Sequence, residues 1–229
     1  MTITLITGAN KGLGHETAKQ LIALGHTVYV GARDAARGRA TANKLGARFV
    51  QLDVTDDASV ESAFEQVASE TGGRLDVLIN NAGLGGTAVV TGAEAHELFD
   101  TNAVGPIRVT QAALPLLHAS DNPVVVNVSS ALGSFWAVTN PEREQSKYAT
   151  VVYGPTKAAL SMITLQYAKL EPTIKFNAVE PGYTATDLTA QIGGGRPVEE
   201  AVGVIVRMAT IGPDGPTGTF QEDDGELPW

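Results

Sequence analysis

The sequence predicts an α/β fold, in which a single doubly wound parallel sheet carries helices on both of its faces. Short runs of β-branched and other apolar residues recur along the chain, and segments rich in Ala, Glu, Lys, Leu and Gln separate them. Continuous apolar strands that alternate with helices are typical of a parallel sheet buried on both faces. The 229 residues form one predicted domain, 1–229, since single cores stop growing beyond about 250–300 residues.

The apolar runs give the predicted strands, and capping residues support the helices between them. The predicted strands are residues 3–7, 27–32, 47–52, 76–80, 123–130 and 174–179. Asp34, Thr55 and Pro197 are typical of positions near helix starts. Gly25 and Gly46 are typical of positions that follow helix ends. Strands and helices therefore alternate along the chain.

Composition excludes several classes of function. The net charge of -9 disfavours nucleic-acid binding through bulk electrostatics. The chain has no cysteine, which excludes disulfides and thiol nucleophiles and fits a reducing compartment. Neither a leader pattern at the amino terminus nor an 18-residue apolar span is present. We therefore expect a cytoplasmic protein that binds neither nucleic acid nor membrane.

A glycine-rich turn follows the first predicted strand and leads into a helix. Its sequence is TGANKGLG, with glycines at Gly8, Gly12 and Gly14. Glycine permits positive φ and a close backbone approach, while a helix amino terminus offers unpaired N–H groups to an anion. Strand, turn and helix together predict a Rossmann-type dinucleotide site, although a tight structural turn remains the alternative.

The spacing of these glycines resembles the TGxxxGxG hallmark of the short-chain dehydrogenase/reductase family. In that family an acid at the end of the second strand binds the ribose of NAD, and basic residues there bind the 2'-phosphate of NADP. Ala32 occupies the usual acidic position here, and Arg33 follows it. A guanidinium group suits phosphate because its donors fork across two oxygens. Lys11 offers a second cation, so the resemblance implies NADP(H).

Asp34 is the counter-argument to this choice of cofactor. It lies about twenty residues past the turn, where an acid that binds the ribose of NAD is often found. We interpret Asp34 instead as the cap of the next helix.

Further motifs extend the resemblance over nearly the whole chain. They are LDV at 52–54, NNAG at 80–83, DTNAVG at 100–105, VNVSS at 126–130 and PGYTAT at 181–186. NNAG is expected along the adenosine side of the cofactor, and PGYTAT beside the nicotinamide. The resemblance implies these cofactor-binding residues: Gly8, Asn10, Lys11, Gly12, Leu13, Gly14, Arg33, Asp53, Val54, Asn80, Ala82, Tyr153, Lys157, Pro181, Gly182, Thr184 and Thr186.

The stretch SKYATVVYGPTK, residues 146–157, holds two tyrosines, of which Tyr153 has a lysine at i+4. Residues at this spacing project together from a helix, so Tyr153 and Lys157 are predicted to be neighbours, whereas Tyr148 has no such partner. Pro155 is expected in or near the first turn of that helix. A phenol near a pKa of about 10 needs a nearby ammonium to lower its pKa.

By resemblance, Asn102, Ser130, Tyr153 and Lys157 form the catalytic tetrad. Ser130 is expected to hold the substrate oxygen and Tyr153 to donate its proton. Lys157 is also expected to bind the nicotinamide ribose, and Asn102 to order a water relay. Singly, each has an alternative: Ser130 ends a strand, Asn102 caps or bends a helix, and Lys157 is solvated.

The sequence therefore predicts an NADPH-dependent carbonyl reductase that acts on a ketone, aldehyde or quinone, or on the corresponding alcohol in reverse. The alternatives are an NAD-dependent alcohol dehydrogenase of the same family and a dinucleotide sensor without turnover. ITGANKGLG, GARD and LDVLINNAG resemble the carbonyl-reductase branch, and the segment between Ser130 and Tyr153 is expected to be an insertion. That segment leaves monomer or homo-oligomer undecided. No metal is expected, and EDDGE at 222–226 is predicted to be a solvated tail.

Overall fold

The computed structural model describes residues 1–85, 91–187 and 193–229. In these ranges the strands form one sheet in the order β3-β2-β1-β4-β5-β6-β7-β8. The strands are β1 (Ile3–Ile6), β2 (Thr27–Ala32), β3 (Arg48–Gln51), β4 (Val77–Asn80), β5 (Val124–Val128), β6 (Lys175–Val179), β7 (Thr219–Glu222) and β8 (Gly225–Glu226). The predicted α/β class is confirmed, with all strands parallel except β8, which runs antiparallel to β7.

Helices cover both faces of this sheet. They are α1 (Gly12–Ala23), α2 (Ala35–Leu45), α3 (Asp57–Thr71), α4 (Gly92–Phe99), α5 (Gly105–Leu117), α6 (Phe135–Thr139), α7 (Tyr153–Leu170), α8 (Val198–Ala201) and α9 (Gly203–Ala209). A π-helical turn, Asp100–Val104, joins α4 to α5. Over the described residues, none of these helices has the length and apolarity needed to cross a bilayer.

The sheet separates two apolar cores. Successive residues of a strand point to opposite faces, so Leu5 packs in one core and Ile6 in the other, both fully buried. The first core includes Phe176 of β6, which stacks on Tyr167 of α7 with ring centroids 5.2 Å apart. The second core is closed by α1 and α9, for example through Met208.

The strand order reverses beside β1, which lies between β2 and β4. In such sheets, ligands bind beyond the carboxyl ends of the strands at this switch point. The glycine turn follows β1, and NNAG begins at the end of β4. Ser130 follows β5, and PGYTAT follows β6. All four motifs therefore meet at one edge of the sheet.

Most predicted helix boundaries are confirmed. Asp34 caps α2 by accepting a hydrogen bond of 3.0 Å from the Arg37 backbone N–H, as expected. Asp56, directly after Thr55, caps α3 through Ala58 and Ser59. Gly46 ends α2 in the left-handed region with φ 69°.

Residues 222–226 are largely exposed, as predicted, but they are not a free tail. Glu222 ends β7 and pairs with Gly225 of β8. The Arg143 guanidinium group forms a salt bridge of 2.6 Å with the Glu222 carboxylate, and the backbone oxygens of Glu222 and Asp223 accept hydrogen bonds from Arg207. These contacts with Arg143 and Arg207 hold the acidic segment against the rest of the fold, although its sequence has no apolar pattern that predicts a strand.

Candidate active site

The glycine turn is packed against the end of β4. Gly8 has φ +64° and Gly12 has φ +57°, a region that disfavours side chains. A Cβ atom on Gly8 would lie 2.9 Å from the Ala82 backbone, and one on Gly14 would lie 2.5 Å from Asn81 Nδ2. Lys11 provides no side-chain cap for α1, so the first N–H groups of this helix suit an anion. The turn therefore fits the pyrophosphate of a dinucleotide.

Two residues that the sequence analysis did not select, Thr7 and Asn81, join the turn to the NNAG segment. Thr7 Oγ1 accepts hydrogen bonds from the backbone of Asn81 at 3.0 Å and of Ala82 at 2.9 Å. Asn81 Nδ2 donates in return to Thr7 O at 2.8 Å. The sequence did contain a signal for these two residues, because Thr7 begins the TGANKGLG motif and Asn81 belongs to NNAG.

Asn80, in contrast, directs its side chain into the core. It is 3% exposed, and Nδ2 donates to Thr110 Oγ1 at 3.2 Å and to Asn127 Oδ1 at 2.8 Å. The Asn80 amide thus holds β4 to β5 and α5, beneath the expected cofactor site. Ala82, also selected from the sequence, lies directly against Gly8.

The cations expected to bind the 2'-phosphate are exposed. Arg33 Nε lies 3.9 Å from Asp53 Oδ2, and the Arg33 side chain is 77% exposed. Lys11 Nζ lies 2.8 Å from Asp187 Oδ2. Lys11, with a smaller effect from Arg37, lowers the pKa of the Asp187 carboxyl group. Arg37, in the first turn of α2, is a further cation in this region, and no sequence motif indicated it.

Asp53 and Val54 lie at the turn between β3 and α3. Asp53 Oδ1 accepts hydrogen bonds from Thr55 N and Thr55 Oγ1, which leaves Oδ2 facing Arg33. Val54 is buried, and Gly105 packs so closely that a Cβ atom there would lie 3.0 Å from Val54 Cγ2.

Tyr153 and Lys157 project from the same side of α7, as predicted. The helix begins at Tyr153, which places Pro155 in its first turn and leaves Tyr148 outside it. Lys157 Nζ lies 5.7 Å from the centroid of the Tyr153 ring and donates to Val128 O at 2.8 Å. Lys157 is 5% exposed, which excludes the alternative of a solvated lysine.

Ser130 meets Tyr153 because the turn after β5 packs tightly on α7. A Cβ atom on Gly133 would lie 2.5 Å from the Lys157 carbonyl carbon, so only glycine permits this approach. The Ser130 hydroxyl lies near enough to the Tyr153 phenol to lower its pKa. The two groups therefore share a position where both can bind one substrate oxygen.

The pKa of Tyr153 is not shifted in the direction that the sequence predicted. Burial raises the pKa of Tyr153, and the Glu180 carboxylate raises it further, while the Ser130 hydrogen bond lowers it. On balance the pKa of Tyr153 is therefore raised and not lowered as predicted, because desolvation of the buried phenol is the largest effect. Burial also lowers the pKa of Lys157 to about 8, against the opposing effect of Glu180. Sequence reasoning did not identify Glu180.

Asn102 lies in the π-helical turn and connects three parts of the site. Its Oδ1 accepts from Leu84 N at 2.8 Å, and Nδ2 donates to Leu84 O at 2.9 Å and to Thr156 Oγ1 at 3.1 Å. A Cβ atom on Gly83 would lie 3.4 Å from Asn102 Oδ1 and 3.6 Å from Lys157 Nζ. Asn102 therefore lies where the helix is distorted, which agrees with the alternative that it bends a helix. It also lies on the same side of Gly83 as Lys157.

The PGYTAT loop faces the glycine turn. Gly182 has φ +76°, and a Cβ atom on Gly12 would lie 3.7 Å from Thr186 Cγ2. Thr184 is 4% exposed, and its hydroxyl donates to Gly182 O at 2.9 Å. Pro181 is likewise buried, so this loop forms the wall opposite α1.

Comparisons with known proteins agree with this geometry. The model of the short chain dehydrogenase family matches residues 2–196. The chain is 32% identical to a (+)-neomenthol dehydrogenase of Arabidopsis thaliana, over 94% of each chain. It is 32% identical to a (-)-isopiperitenone reductase of Mentha piperita, over 97% of this chain and 96% of the relative.

Solved structures give the same result. An NADPH-bound carbonyl reductase from chicken fatty liver is similar with a TM-score of 0.87 and 27% identity, over 100% of both chains. The salutaridine reductase of Papaver somniferum is similar with a TM-score of 0.85 and 28% identity, over 97% of this chain and 100% of that one.

Proposed function

The chain belongs to the short-chain dehydrogenase family of oxidoreductases, and on that premise we propose that it uses NADPH to reduce a ketone, aldehyde or quinone. The observation that carries the proposal is that Tyr153 and Lys157 project from the same side of α7, with the turn that holds Ser130 packed tightly on that helix. This arrangement offers one substrate oxygen a hydrogen-bond donor and a proton donor at the same time.

In this proposal Tyr153 is the acid and Ser130 orients the carbonyl oxygen. Negative charge grows on that oxygen during reduction, so a fixed donor and a nearby proton both lower the barrier. The raised pKa of Tyr153 keeps the phenol protonated before the reaction. Lys157, held by Val128 O, supplies positive charge beside the phenolate that remains.

NADPH supplies the hydride when it is bound. The residues that would hold it are those of the glycine turn, the NNAG segment and the PGYTAT loop, together with Lys157. Lys11 and Arg33 are proposed to bind the 2'-phosphate, and we add Arg37 because it acts on the same region as Lys11. Asn102 is proposed to support proton supply behind Lys157.

The preference for NADPH over NADH is proposed from the charges next to β2. Ala32 offers no carboxylate to the ribose, and Asp34 is engaged as the cap of α2. Exposed ion pairs such as Arg33 with Asp53 contribute little to stability, so a phosphate can replace their acidic partners at small cost.

The substrate class follows from relatives whose names specify small carbonyl compounds or alcohols. A structural neighbour is a menthone neomenthol reductase from Mentha piperita, similar with a TM-score of 0.79 and 28% identity over 96% of this chain and 98% of that one. We therefore propose a compact, largely apolar ketone, aldehyde or quinone as the substrate, and a cytoplasmic site of action.

An absorbance assay tests the proposed function. Purified protein is incubated with NADPH or NADH and a panel of cyclic ketones, aromatic aldehydes and quinones. We expect oxidation of NADPH with some of the carbonyl compounds, and slower oxidation of NADH. Faster turnover with NADH would favour the alcohol dehydrogenase, and dinucleotide binding without turnover in either direction would favour the sensor.

A further inference from the structure

Arg108, in the first turn of α5, joins the turn after β3 to the π-helical turn that holds Asn102. Its Nη1 donates to Val54 O at 3.3 Å and forms a salt bridge of 2.8 Å with Asp100 Oδ1. Its Nε forms a second salt bridge, of 2.7 Å, with Asp57 in the first turn of α3. The Asp57 side chain is 87% exposed and that of Asp100 is 28% exposed, so water screens the second salt bridge more than the first. One guanidinium nitrogen therefore holds two turns of the chain.

The turn after β3 lies at the adenosine end of the proposed dinucleotide site. Asp53 Oδ2 lies 3.9 Å from Arg33 Nε, and Arg33 is proposed to bind the 2'-phosphate of the adenosine. Val54 follows Asp53 directly and is buried. Because Arg108 binds the Val54 carbonyl oxygen, it limits how far this turn can move relative to α5.

The π-helical turn orients the Asn102 side chain. Gly105 N–H donates to Asp100 O, which is the i+5 spacing of a π-helix instead of the i+4 spacing of an α-helix. Within this turn, Asn102 Nδ2 donates to Thr156 Oγ1 of α7 at 3.1 Å. Arg108 binds the side chain of Asp100, the residue at which this turn begins. A change at Arg108 therefore acts on the turn that orients Asn102.

Close packing between Gly105 and Val54 also joins the two turns. A Cβ atom on Gly105 would lie 3.0 Å from Val54 Cγ2. Apolar contact is non-directional, whereas the hydrogens of a guanidinium nitrogen point along fixed directions in the plane of the group. We therefore expect packing to hold the turns close together and Arg108 to fix their relative orientation.

We propose that Arg108 is a positioning residue, which fixes the adenosine-binding turn and Asn102 relative to one another. One side chain then supports both cofactor affinity and the proton supply behind Lys157. Arg108 acts through other residues, through Val54 O on the adenosine and through Asp100 on Asn102. This inference rests on the proposed function, because that function gives Asn102 its part in proton supply.

Binding of adenosine 2',5'-bisphosphate tests the adenosine half, because this ligand contains the adenosine and the 2'-phosphate but no nicotinamide. By calorimetry, R108M should weaken its binding about 2–30-fold, the range for residues that act through others. D100N should nearly keep the affinity, since Arg108 still binds Val54 O. D57N is the matched control, because it removes the exposed partner of Arg108 and should change neither affinity nor kcat. Weakening by D57N equal to that by R108M would overturn the proposal.

The value of kcat at saturating NADPH tests the Asn102 half, since weaker cofactor binding no longer affects it. R108M and D100N should each lower kcat about 2–30-fold and raise its solvent deuterium isotope effect, because proton supply is slowed. The double variant R108M/D100N should lose no more than R108M, since both changes break one contact. Additive losses would overturn the proposal. Normal binding and kcat in R108M would also overturn it, because packing of Gly105 on Val54 would then suffice.

Nuclear magnetic resonance gives a readout that requires no turnover. The Leu84 amide proton, which is donated to Asn102 Oδ1, should exchange faster with solvent in R108M and D100N but not in D57N. Unchanged exchange in R108M would overturn the link to Asn102 even if kcat falls. If the wild type reduces no carbonyl compound, the proposed function fails, and exchange and ligand binding still decide whether Arg108 fixes the two turns.

R108K keeps the test decisive if R108M does not fold. It retains the positive charge but lacks the planar fork of the guanidinium group, so it should show smaller losses of the same kind. Wild-type ligand binding and Leu84 exchange in R108K would overturn positioning by the guanidinium group.

Discussion

The cations around the glycine turn and the cation in the catalytic helix lie in opposite surroundings. The side chains of Lys11 and Arg33 are 60% and 77% exposed, whereas Lys157 is 5% exposed. Water screens the exposed ion pairs, so these pairs are not held in one fixed geometry and contribute little to stability. Burial removes that screening and shifts the pKa of Lys157. We therefore propose that the exposed cations select the cofactor and that the buried cation tunes a proton transfer.

Replacing the buried cation should have the larger effect. We expect Lys157→Met to lower kcat/KM by about 10²–10⁴-fold, the range of general acid catalysis, because the phenolate of Tyr153 loses its neighbouring charge. The melting temperature should not fall, since removal of a desolvated ammonium offsets the lost hydrogen bond to Val128 O. Lys169→Met is the control, because Lys169 is exposed on the same helix. Retained activity in Lys157→Met would contradict the buried role.

Replacing an exposed cation should act on the cofactor alone. We expect Arg33→Asp to weaken NADPH binding by about 10–100-fold, as expected for charge-assisted hydrogen bonds of about 1.5–3 kcal/mol, and to leave NADH binding equal or tighter. Lys44→Asp makes the same charge change at an exposed position in the last turn of α2. Titration of both cofactors with each variant measures this, and equal weakening by Lys44→Asp would mean that net charge alone is responsible.

Catalysis and NADPH binding should depend differently on pH, because one relies on the buried Lys157 and the other on exposed arginines. Because burial lowers the pKa of Lys157 to about 8, its ammonium is present below that pH and is lost above it. The corresponding step of kcat/KM should lie near pH 8 and decline about tenfold per pH unit. NADPH affinity should change less over this interval, since Arg33 and Arg37 stay charged. A Lys157 step displaced to the ordinary range of lysine would contradict the desolvation of this residue.

The smallest effect is expected at the exposed ion pair between Lys11 and Asp187. Asp187→Asn removes the partner of Lys11, and an exposed pair contributes only about 0.2–1 kcal/mol. The melting temperature should therefore stay nearly constant, and NADPH binding should tighten by less than about fivefold. Markedly weaker binding would instead show that Asp187 itself contacts the cofactor.

The sequence predicted the central strands well because they are buried on both faces and therefore read as continuous apolar runs. The six predicted strands are confirmed with ends shifted by at most two residues. β7 and β8 were missed because TFQE and GE carry no such pattern; β7 pairs with β6, and Arg143 and Arg207 contact it at Glu222. A contact that depends on three-dimensional proximity leaves no periodic signal in the sequence.

Within the site, motif residues were predictable and their electrostatics were not. The spacing of Tyr153 and Lys157 fixed their common side of α7, and Asp34 was correctly interpreted as a cap. The pKa of Tyr153 depends instead on burial and on Glu180, which approaches from β6. Glu180 next to Pro181 resembles an ordinary loop acid, and only the fold reveals that it is buried.

We propose that the Tyr153 phenol donates the proton to the reduced carbonyl. The most direct test of this proposal measures kcat and NADPH affinity for Tyr153→Phe beside Tyr148→Phe, since Tyr148 is 62% exposed and precedes α7. We expect Tyr153→Phe to lose about 10²–10⁴-fold in kcat while NADPH affinity stays within a few-fold, and Tyr148→Phe to keep both. Near-normal kcat in Tyr153→Phe would show that the Tyr153 phenol is not the proton donor.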